Sequence, residues 1–232
     1  MSKEYNVYAK KGSERQMQII TLKENQKYLN VLLNDELEWK VPNKENGFKE
    51  CQLNQHILET LGIDKDFLKG FWASRGPQWD GIAIGKSGTL YLFEGKAHRN
   101  EPFKRNTEGD ANNNKIIHNS ISEAAKRYLK EDIRSNESLS KIWFVKYYQI
   151  ANRITFTQKL NTIKSDRFNK VKMIFLCFVN DETWMNNNNE MMKSDTEWYE
   201  KFDKIFVEMG VSRKLLEDDN IFIKTFNLTN LK

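Results

Sequence analysis

Two apolar segments joined by a short, glycine-containing loop form the clearest pattern in the chain. Residues 79–85 and 89–96 carry apolar side chains at alternating or successive positions, and the loop between them ends in Gly88. This pattern predicts a β-hairpin with a three-residue loop, in which Gly88 takes the left-handed conformation. The register that follows sets Ile84 opposite Leu90 and continues residue by residue towards the open end of the hairpin.

Helical and strand periodicities predict the elements around this hairpin. Amphipathic helices are expected at about 23–37, 51–61, 117–129 and 139–163, and from a capping box at Ser194 to a stop at Gly210. Strands are expected at 18–20, at 171–179 with both faces covered, and at 221–226, while 71–74 is either a strand or the approach to a turn. These elements predict an α/β fold with a mixed central β-sheet flanked by helices, ending in a right-handed parallel crossover.

The composition fits one globular domain. The chain has 232 residues and a hydrophobic content of 39%, enough for a full core. We divide it into an N-terminal extension (1–50), a core (51–180) and a C-terminal helix and strand (181–232). The formal charge of +5 permits a polyanionic partner without requiring one.

Neither the N-terminus nor the apolar runs suggest a membrane. Residues 1–5 lack the apolar segment of a secretion signal, and the longest apolar run, 171–179, is far too short to span a bilayer. We therefore expect a cytoplasmic protein without membrane contact.

The open end of the hairpin carries the candidate chemistry. The predicted register sets Asp80 opposite Glu94, and Lys96 follows on the same face. Like charges placed directly opposite each other destabilise a sheet, so this carboxylate pair suggests a cation between its members. The alternative is a solvent-exposed acid pair at a strand end, with Lys96 as its salt-bridge partner.

The order of helix, hairpin, helix and buried strand over about residues 50–180, with Asp80 and Glu94-Gly95-Lys96 on the hairpin, resembles the PD-(D/E)xK nuclease superfamily. The proline that usually precedes the aspartate in that family is replaced by Trp79. The segments around Asp80 and Glu94 are similar to a bacterial subgroup of the superfamily. The resemblance implies a restriction-endonuclease-like core and a nuclease, with DNA as the favoured substrate.

The chemistry of these residues suits a magnesium or manganese ion. Mg²⁺ is held by one or two carboxylates plus water and substrate phosphate, so Asp80 and Glu94 would bind it, with the Gly95 carbonyl as a third oxygen. The ion can lower the pKa of a bound water and offset charge on the scissile phosphate. Lys96 would orient that water, deprotonate it, or stabilise charge on the phosphate.

Three further acidic or imidazole side chains are candidates for the same site. Glu59 lies on the helix before the hairpin, where related nucleases often add an acid, although most helical glutamates are only solvated. His98 and Glu101 follow Lys96 in a polar loop at 97–115, a candidate lid or phosphate-contacting loop. A solvated basic loop is the alternative for this segment.

Nucleic-acid contacts are expected from one helix face and from the loop. Lys146, Gln149 and Arg153 fall at helical spacing opposite the apolar residues of the 139–163 helix, and Arg99 lies in the loop. A guanidinium and an amine on one face suit phosphate contacts, and an ordinary solvated face is the alternative.

Taken together, the sequence predicts a metal-dependent nuclease with nucleic acid, DNA in preference, as its partner. The second hypothesis is a catalytically silent nucleic-acid-binding or protein-interaction module on the same scaffold. The oligomeric state is left open, a dimer included.

Overall fold

The computed structural model describes residues 7–43, 47–72, 76–103, 115–184 and 190–231. The strands are β1 (Leu37–Val41), β2 (Cys51–Gln52), β3 (Gln78–Trp79), β4 (Gly81–Gly85), β5 (Thr89–Lys96), β6 (Lys170–Val179) and β7 (Ile221–Asn227). The α-helices are α1 (Gly12–Ile20), α2 (Gln26–Leu33), α3 (Gln55–Thr60), α4 (Lys115–Lys126), α5 (Glu137–Lys141), α6 (Tyr148–Asn161), α7 (Asp195–Met209) and α8 (Arg213–Asp218).

Five strands form one mixed sheet in the order β1-β4-β5-β6-β7. The pairs β1–β4 and β4–β5 are antiparallel, whereas β5–β6 and β6–β7 are parallel. The short strands β2 and β3 form a separate antiparallel pair. The predicted α/β class, with a mixed sheet flanked by helices, is confirmed.

The central hairpin has the register that the sequence predicts. Ile84 pairs with Leu90 and Ile82 with Leu92 across β4 and β5. Gly88 has a φ of 76°, and its amide donates to the carbonyl of Gly85 at 2.9 Å. Because an L side chain is strained at this φ, glycine at this position fixes the loop and with it the register.

Both faces of the sheet are buried. One face carries residues such as Leu92 and Phe175 and packs against α3, α4, α6 and α7, while the other packs against α1 and α2. Strand β6 lies in the middle of this arrangement, and its residues from Met173 to Val179 are all buried. The prediction of a strand covered on both faces is therefore confirmed.

The C-terminal crossover also matches its sequence pattern. The Ser194 hydroxyl accepts from the amide of Glu197 and caps α7, and Gly210 ends the helix in a left-handed conformation with a φ of 74°. The chain then forms α8, which the apolar pattern did not predict, before β7 pairs parallel to β6.

The N-terminal 50 residues depart most from expectation. The predicted strand at 18–20 is wrong, because these residues end α1. Leu37, the last residue of the predicted helix at 23–37, instead begins β1 (Leu37–Val41) at the edge of the central sheet. This segment therefore supplies one strand of the sheet and the two helices that cover its second face.

The predicted helix at 139–163 is interrupted. A π-helical turn, Ile142–Lys146, separates α5 from α6. Trp143 and Phe144 are both buried, and the wider turn lets these adjacent side chains enter the core. Residues 73 and 74 of the possible strand at 71–74 lie outside the described residues. Within the described part of the chain, no helix is sufficiently long and apolar to cross a membrane.

Candidate functional site

A cleft of about 330 Å³ opens where the hairpin ends, between the sheet, α1 and α6. Most of its lining is polar or charged. The acidic and basic residues that line it are Glu50, Asp80, Glu94, Lys96, Glu101 and Arg153. The structure therefore brings the three main sequence candidates, Asp80, Glu94 and Lys96, into one cavity.

Asp80 is held beside the second hairpin arm. Its amide donates to the carbonyl of Phe93 at 3.2 Å, which extends the ladder one residue beyond the pair of Gly81 and Phe93. Its Oδ2 accepts from the amide of Gly95 at 2.6 Å. Asp80 is only 7% exposed, so it faces the cleft with little access to bulk water.

Gly95 allows α1 to lie close to β5. A Cβ at this position would lie 3.0 Å from the Cβ of Ser13 and 3.2 Å from Oδ2 of Asp80. The structure thus uses the Gly95 amide as the contact to Asp80, and the missing side chain leaves the space that Asp80 and α1 occupy.

Glu94 is engaged by two cations. Its Oε1 accepts from Nζ of Lys96 at 2.5 Å, and its Oε2 accepts from Nε of Arg153 at 2.8 Å. All three side chains are at most 4% exposed. Burial alone would raise the pKa of Glu94, but Arg153 and Lys96 together lower it below its ordinary value. Glu94 is therefore ionised in this arrangement.

Lys96 is held in its charged form. Burial alone would lower its pKa, but Glu94, Glu101 and Asp80 raise it above the ordinary value of a lysine. Nζ also donates to Oε1 of Gln149 on α6 at 3.1 Å. An amine held protonated in this way suits electrostatic stabilisation and orientation, not proton abstraction.

Asp80, in contrast to Glu94 and Lys96, is shifted towards its uncharged form. Burial first, and then the charges of Glu94 and Glu50, raise its pKa well above the ordinary value, while Lys96 opposes them. The carboxyl of Glu50 lies within hydrogen-bonding reach of Asp80. With four acids and two bases, the cleft has a formal charge of −2 when all six are ionised. It therefore favours the uptake of protons or of a cation.

Glu50 is the functional candidate that sequence reasoning missed. Strands β2 and β3 pair Cys51 with Trp79 in antiparallel register, so the next residues, Glu50 and Asp80, face each other. Glu59, predicted as the additional acid, is instead exposed on α3 and accepts from Nε2 of Gln55 at 2.8 Å. A strand of two residues leaves no periodic signal that could have indicated Glu50.

Arg153 lies deeper than predicted. Its Nη2 donates to the carbonyl of Gln78 at 2.5 Å, and its guanidinium lies 4.6 Å from the ring centre of Trp79. The alternative of an ordinary solvated face is wrong for Arg153, because α6 is buried at every position from Ile150 to Thr157. Asn152 and Arg153 nevertheless line the cleft.

The three predicted phosphate contacts on this helix do not share one face. Gln149 and Arg153 line the cleft. Lys146 belongs to the preceding π-helical turn and forms an ion pair with Glu208 on α7. The change of helical period at this turn separates Lys146 from the other two.

The three candidates from the loop after Lys96 do not all lie at the cleft. Glu101 is 8% exposed, lines the cleft and accepts from Oγ of Ser13 and the amide of Ala97. His98 lies outside the cleft, with Nδ1 3.0 Å from Oε2 of Glu190. Arg99 lies 3.4 Å from Glu197 on α7. Residues 104–114 of the predicted lid lie outside the described residues.

The donor atoms suit a hard cation only in part. Within the described ranges, no three side chains of His, Cys, Asp and Glu are grouped so as to hold a metal ion. Mg²⁺, however, commonly uses one or two carboxylates and keeps several waters. Asp80 and Glu50 form such an adjacent pair. Glu94 could add a third carboxylate if its ion pair with Lys96 or with Arg153 opened and a metal ion took the place of that side chain. The residue types therefore fit Mg²⁺ or Mn²⁺.

Comparison with known proteins identifies no relative, since no family model, no curated protein and no solved structure matches this chain.

Proposed function

We propose that this protein is a metal-dependent phosphodiesterase that acts on nucleic acid, with the cleft around Asp80 as its active site. The observation that carries the proposal is the meeting of Asp80, Glu94 and Lys96 in one buried cavity at the end of the hairpin. The resemblance of these residues to the PD-(D/E)xK nucleases supports the chemistry and a restriction-endonuclease-like core. The proposal includes a cytoplasmic location.

The carboxylates would hold the metal. Asp80 and Glu50 offer two neighbouring carboxyl groups. Glu94 adds a third when its ion pair with Lys96 or with Arg153 opens. When bound, Mg²⁺ or Mn²⁺ activates a water and offsets charge on the phosphate. A cation also replaces the proton that burial and the neighbouring acids favour on Asp80.

Lys96 would act as a fixed positive charge. Its raised pKa keeps it protonated, so it can orient the attacking water and stabilise charge on the phosphoryl oxygens. Gln149 holds Nζ of Lys96 from the side of α6. Of the three roles that the sequence left open for Lys96, deprotonation of water is the one that this environment disfavours.

The size of the cleft bears on the substrate. At about 330 Å³ the cavity is at the small end of the range for ligand pockets. It suits one phosphodiester with the adjacent sugar, and the rest of the nucleic acid would lie on the surrounding surface. The preference for DNA over RNA rests on the family resemblance alone.

One observation favours the second function, a catalytically silent binding module. Both carboxylate oxygens of Glu94 are paired with the protein's own cations. A scaffold that no longer binds metal would gain stability by neutralising its buried acids in this way. In the enzyme, one of these ion pairs has to open only if Glu94 joins Asp80 and Glu50 in binding the metal.

A cleavage assay separates the two functions. Labelled DNA and RNA, each single-stranded and duplex, are incubated with Mg²⁺ or Mn²⁺, and binding is measured in Ca²⁺. For the enzyme we expect Lys96→Ala to cut about 10²–10⁴-fold more slowly with little change in binding. Glu59→Gln, an exposed acid outside the cleft, is the matched control and should cut normally. Binding without cleavage by the wild type supports the silent module.

A further inference from the structure

Two carboxamide side chains of α6, Gln149 and Asn152, line the cleft beside its two cations. Oε1 of Gln149 accepts from Nζ of Lys96 at 3.1 Å. Oδ1 of Asn152 accepts from Nη1 of Arg153 at 2.7 Å. Because lysine and arginine can only donate, the amide atom that faces each cation has to be the oxygen. The two cations therefore fix the orientation of both amides and leave the amide nitrogens for other partners.

The amide nitrogens have a capacity to donate that the protein does not use. Within the described part of the chain, neither Nε2 of Gln149 nor Nδ2 of Asn152 donates to a protein acceptor. Neither nitrogen is sealed from solvent, although Asn152 is only 6% exposed. Since Asn152 lines the cleft and is otherwise buried, its nitrogen opens into the cleft.

The two amides are placed so that they can act on one ligand group. Residues three positions apart on a helix are neighbours on its surface, as Gln149 and Asn152 are on α6. The paired carboxyl groups of Glu50 and Asp80 come from other segments, beside β2 and β3. The cleft thus offers carboxylates, which suit a cation, and N–H groups on α6, which suit an oxyanion.

The neighbouring cations strengthen these donors. A positive charge on the oxygen of an amide polarises the group and makes its N–H bonds better donors. Lys96 and Arg153 are both also paired with Glu94. The amides can therefore donate to an anion while both ion pairs of Glu94 stay closed.

We propose that Asn152, together with Gln149, binds the non-bridging oxygens of the phosphodiester that is cleaved. The proposal rests on the proposed function and names the residues that hold the reacting phosphate. Donors that are fixed before the substrate arrives stabilise the charge of the transition state, and the loss of one such donor costs about 10²–10³-fold in rate.

A thymidine dinucleotide, which contains one phosphodiester, is the first probe. In Ca²⁺, its addition should shift the side-chain NH₂ signals of Asn152 and Gln149 in ¹H–¹⁵N spectra, which are assigned from variants that lack them. In the methylphosphonate analogue a methyl group replaces one non-bridging oxygen and removes the charge, so this compound should shift the signals much less. Equal shifts from both compounds, or no shift from the dinucleotide, overturn the proposal.

Two variants of similar shape separate phosphate binding from a structural role. Asn152→Asp keeps an oxygen for Arg153 but has no N–H, whereas Asn152→Leu has neither. If Asn152 donates to the phosphate, both variants should bind the dinucleotide about 10–150-fold more weakly, the share of one hydrogen bond to a charged group. Loss in Asn152→Leu alone shows that Asn152 only supports Arg153, and loss in Asn152→Asp alone shows repulsion by the new charge. Either result overturns the proposal.

Asn119→Asp is the matched control. Oδ1 of Asn119 likewise accepts from an arginine, Nη1 of Arg134 at 3.0 Å, but Asn119 is exposed on α4 outside the cleft. This variant should bind the dinucleotide normally. Asn152→Asp keeps its bond to Arg153 and should stay folded, as thermal unfolding will check. Gln149→Glu and Gln149→Met repeat the comparison at the half-buried position.

Cleavage of DNA in Mg²⁺ or Mn²⁺ separates this proposal from the proposed function. Both Asn152 variants should cut about 10²–10³-fold more slowly than the wild type. If the variants lose the dinucleotide but the wild type cuts nothing, the phosphate-binding amides stand and the proposed function fails. If the wild type cuts while both variants bind and cut normally, the proposed function stands and the amide proposal fails.

Discussion

Replacement of Asp80 by asparagine should stabilise the metal-free protein at neutral and alkaline pH. The pKa of Asp80 is raised well above its ordinary value, by burial and by the charges of Glu94 and Glu50. The folded protein therefore holds a proton on this carboxyl over a pH range in which the unfolded chain has released it. Asparagine resembles the protonated form, and its amide oxygen can still accept from Gly95.

The sign follows from proton linkage. Between the unfolded pKa of Asp80, about 3.9, and its raised folded pKa, the native state binds more protons than the unfolded state. The free energy of unfolding therefore falls as the pH rises, by about 1.4 kcal/mol for each pH unit within this window. Asp80→Asn removes this loss, so the variant should match the wild type near pH 4 and exceed it increasingly as the pH rises to the folded pKa.

Urea denaturation at pH 4 to 9 in EDTA measures this difference directly. Glu59→Gln, which alters an exposed acid outside the cleft, is the matched control and should not reproduce the gain of Asp80→Asn. Added Mg²⁺ or Mn²⁺ should stabilise the wild type by about 2.7 kcal/mol at 100 times its Kd and should stabilise Asp80→Asn much less. A variant that is less stable at pH 8, or a difference that does not depend on pH, would refute the reasoning.

Three other substitutions test the construction of the cleft. Arg153→Met leaves a buried acid with one partner fewer and should lower the free energy of unfolding in urea by about 3–5 kcal/mol. Gly95→Ala should cost about 1–3 kcal/mol in the same assay, because its Cβ would lie 3.0 Å from the Cβ of Ser13, whereas Ser13→Gly in addition should recover part of the loss. Glu50→Gln removes one of the charges that raise the pKa of Asp80, so the pH-dependent loss of stability should end at a lower pH.

The hairpin could be predicted from the sequence because its determinants are local. Alternation fixes which side chains share a face, and Gly88 fixes the loop length, so the pairing of Ile84 with Leu90 follows from the chain alone. The same register places Asp80, Glu94 and Lys96 together at the open end of the hairpin, where the structure has them.

The rest of the cleft depends on long-range packing that has no local signature. Glu50 reaches Asp80 through a strand of two residues, which is too short to show a period. The sequence pattern predicts an accessible helix face for Arg153, either for phosphate contacts or merely solvated, whereas the packing of α6 buries it against Glu94. The π-helical turn before α6 also moves Lys146 out of the predicted row.

A crystal soaked in Mn²⁺ tests the central claim most directly. Anomalous density should appear in the cleft, with carboxylate oxygens of Asp80 and of Glu50 or Glu94 at about 2.0–2.3 Å from the ion. If Glu94 is the second ligand, one of its two ion pairs should be open. A cleft without density, while Glu94 keeps both Lys96 and Arg153, would contradict the metal-dependent mechanism.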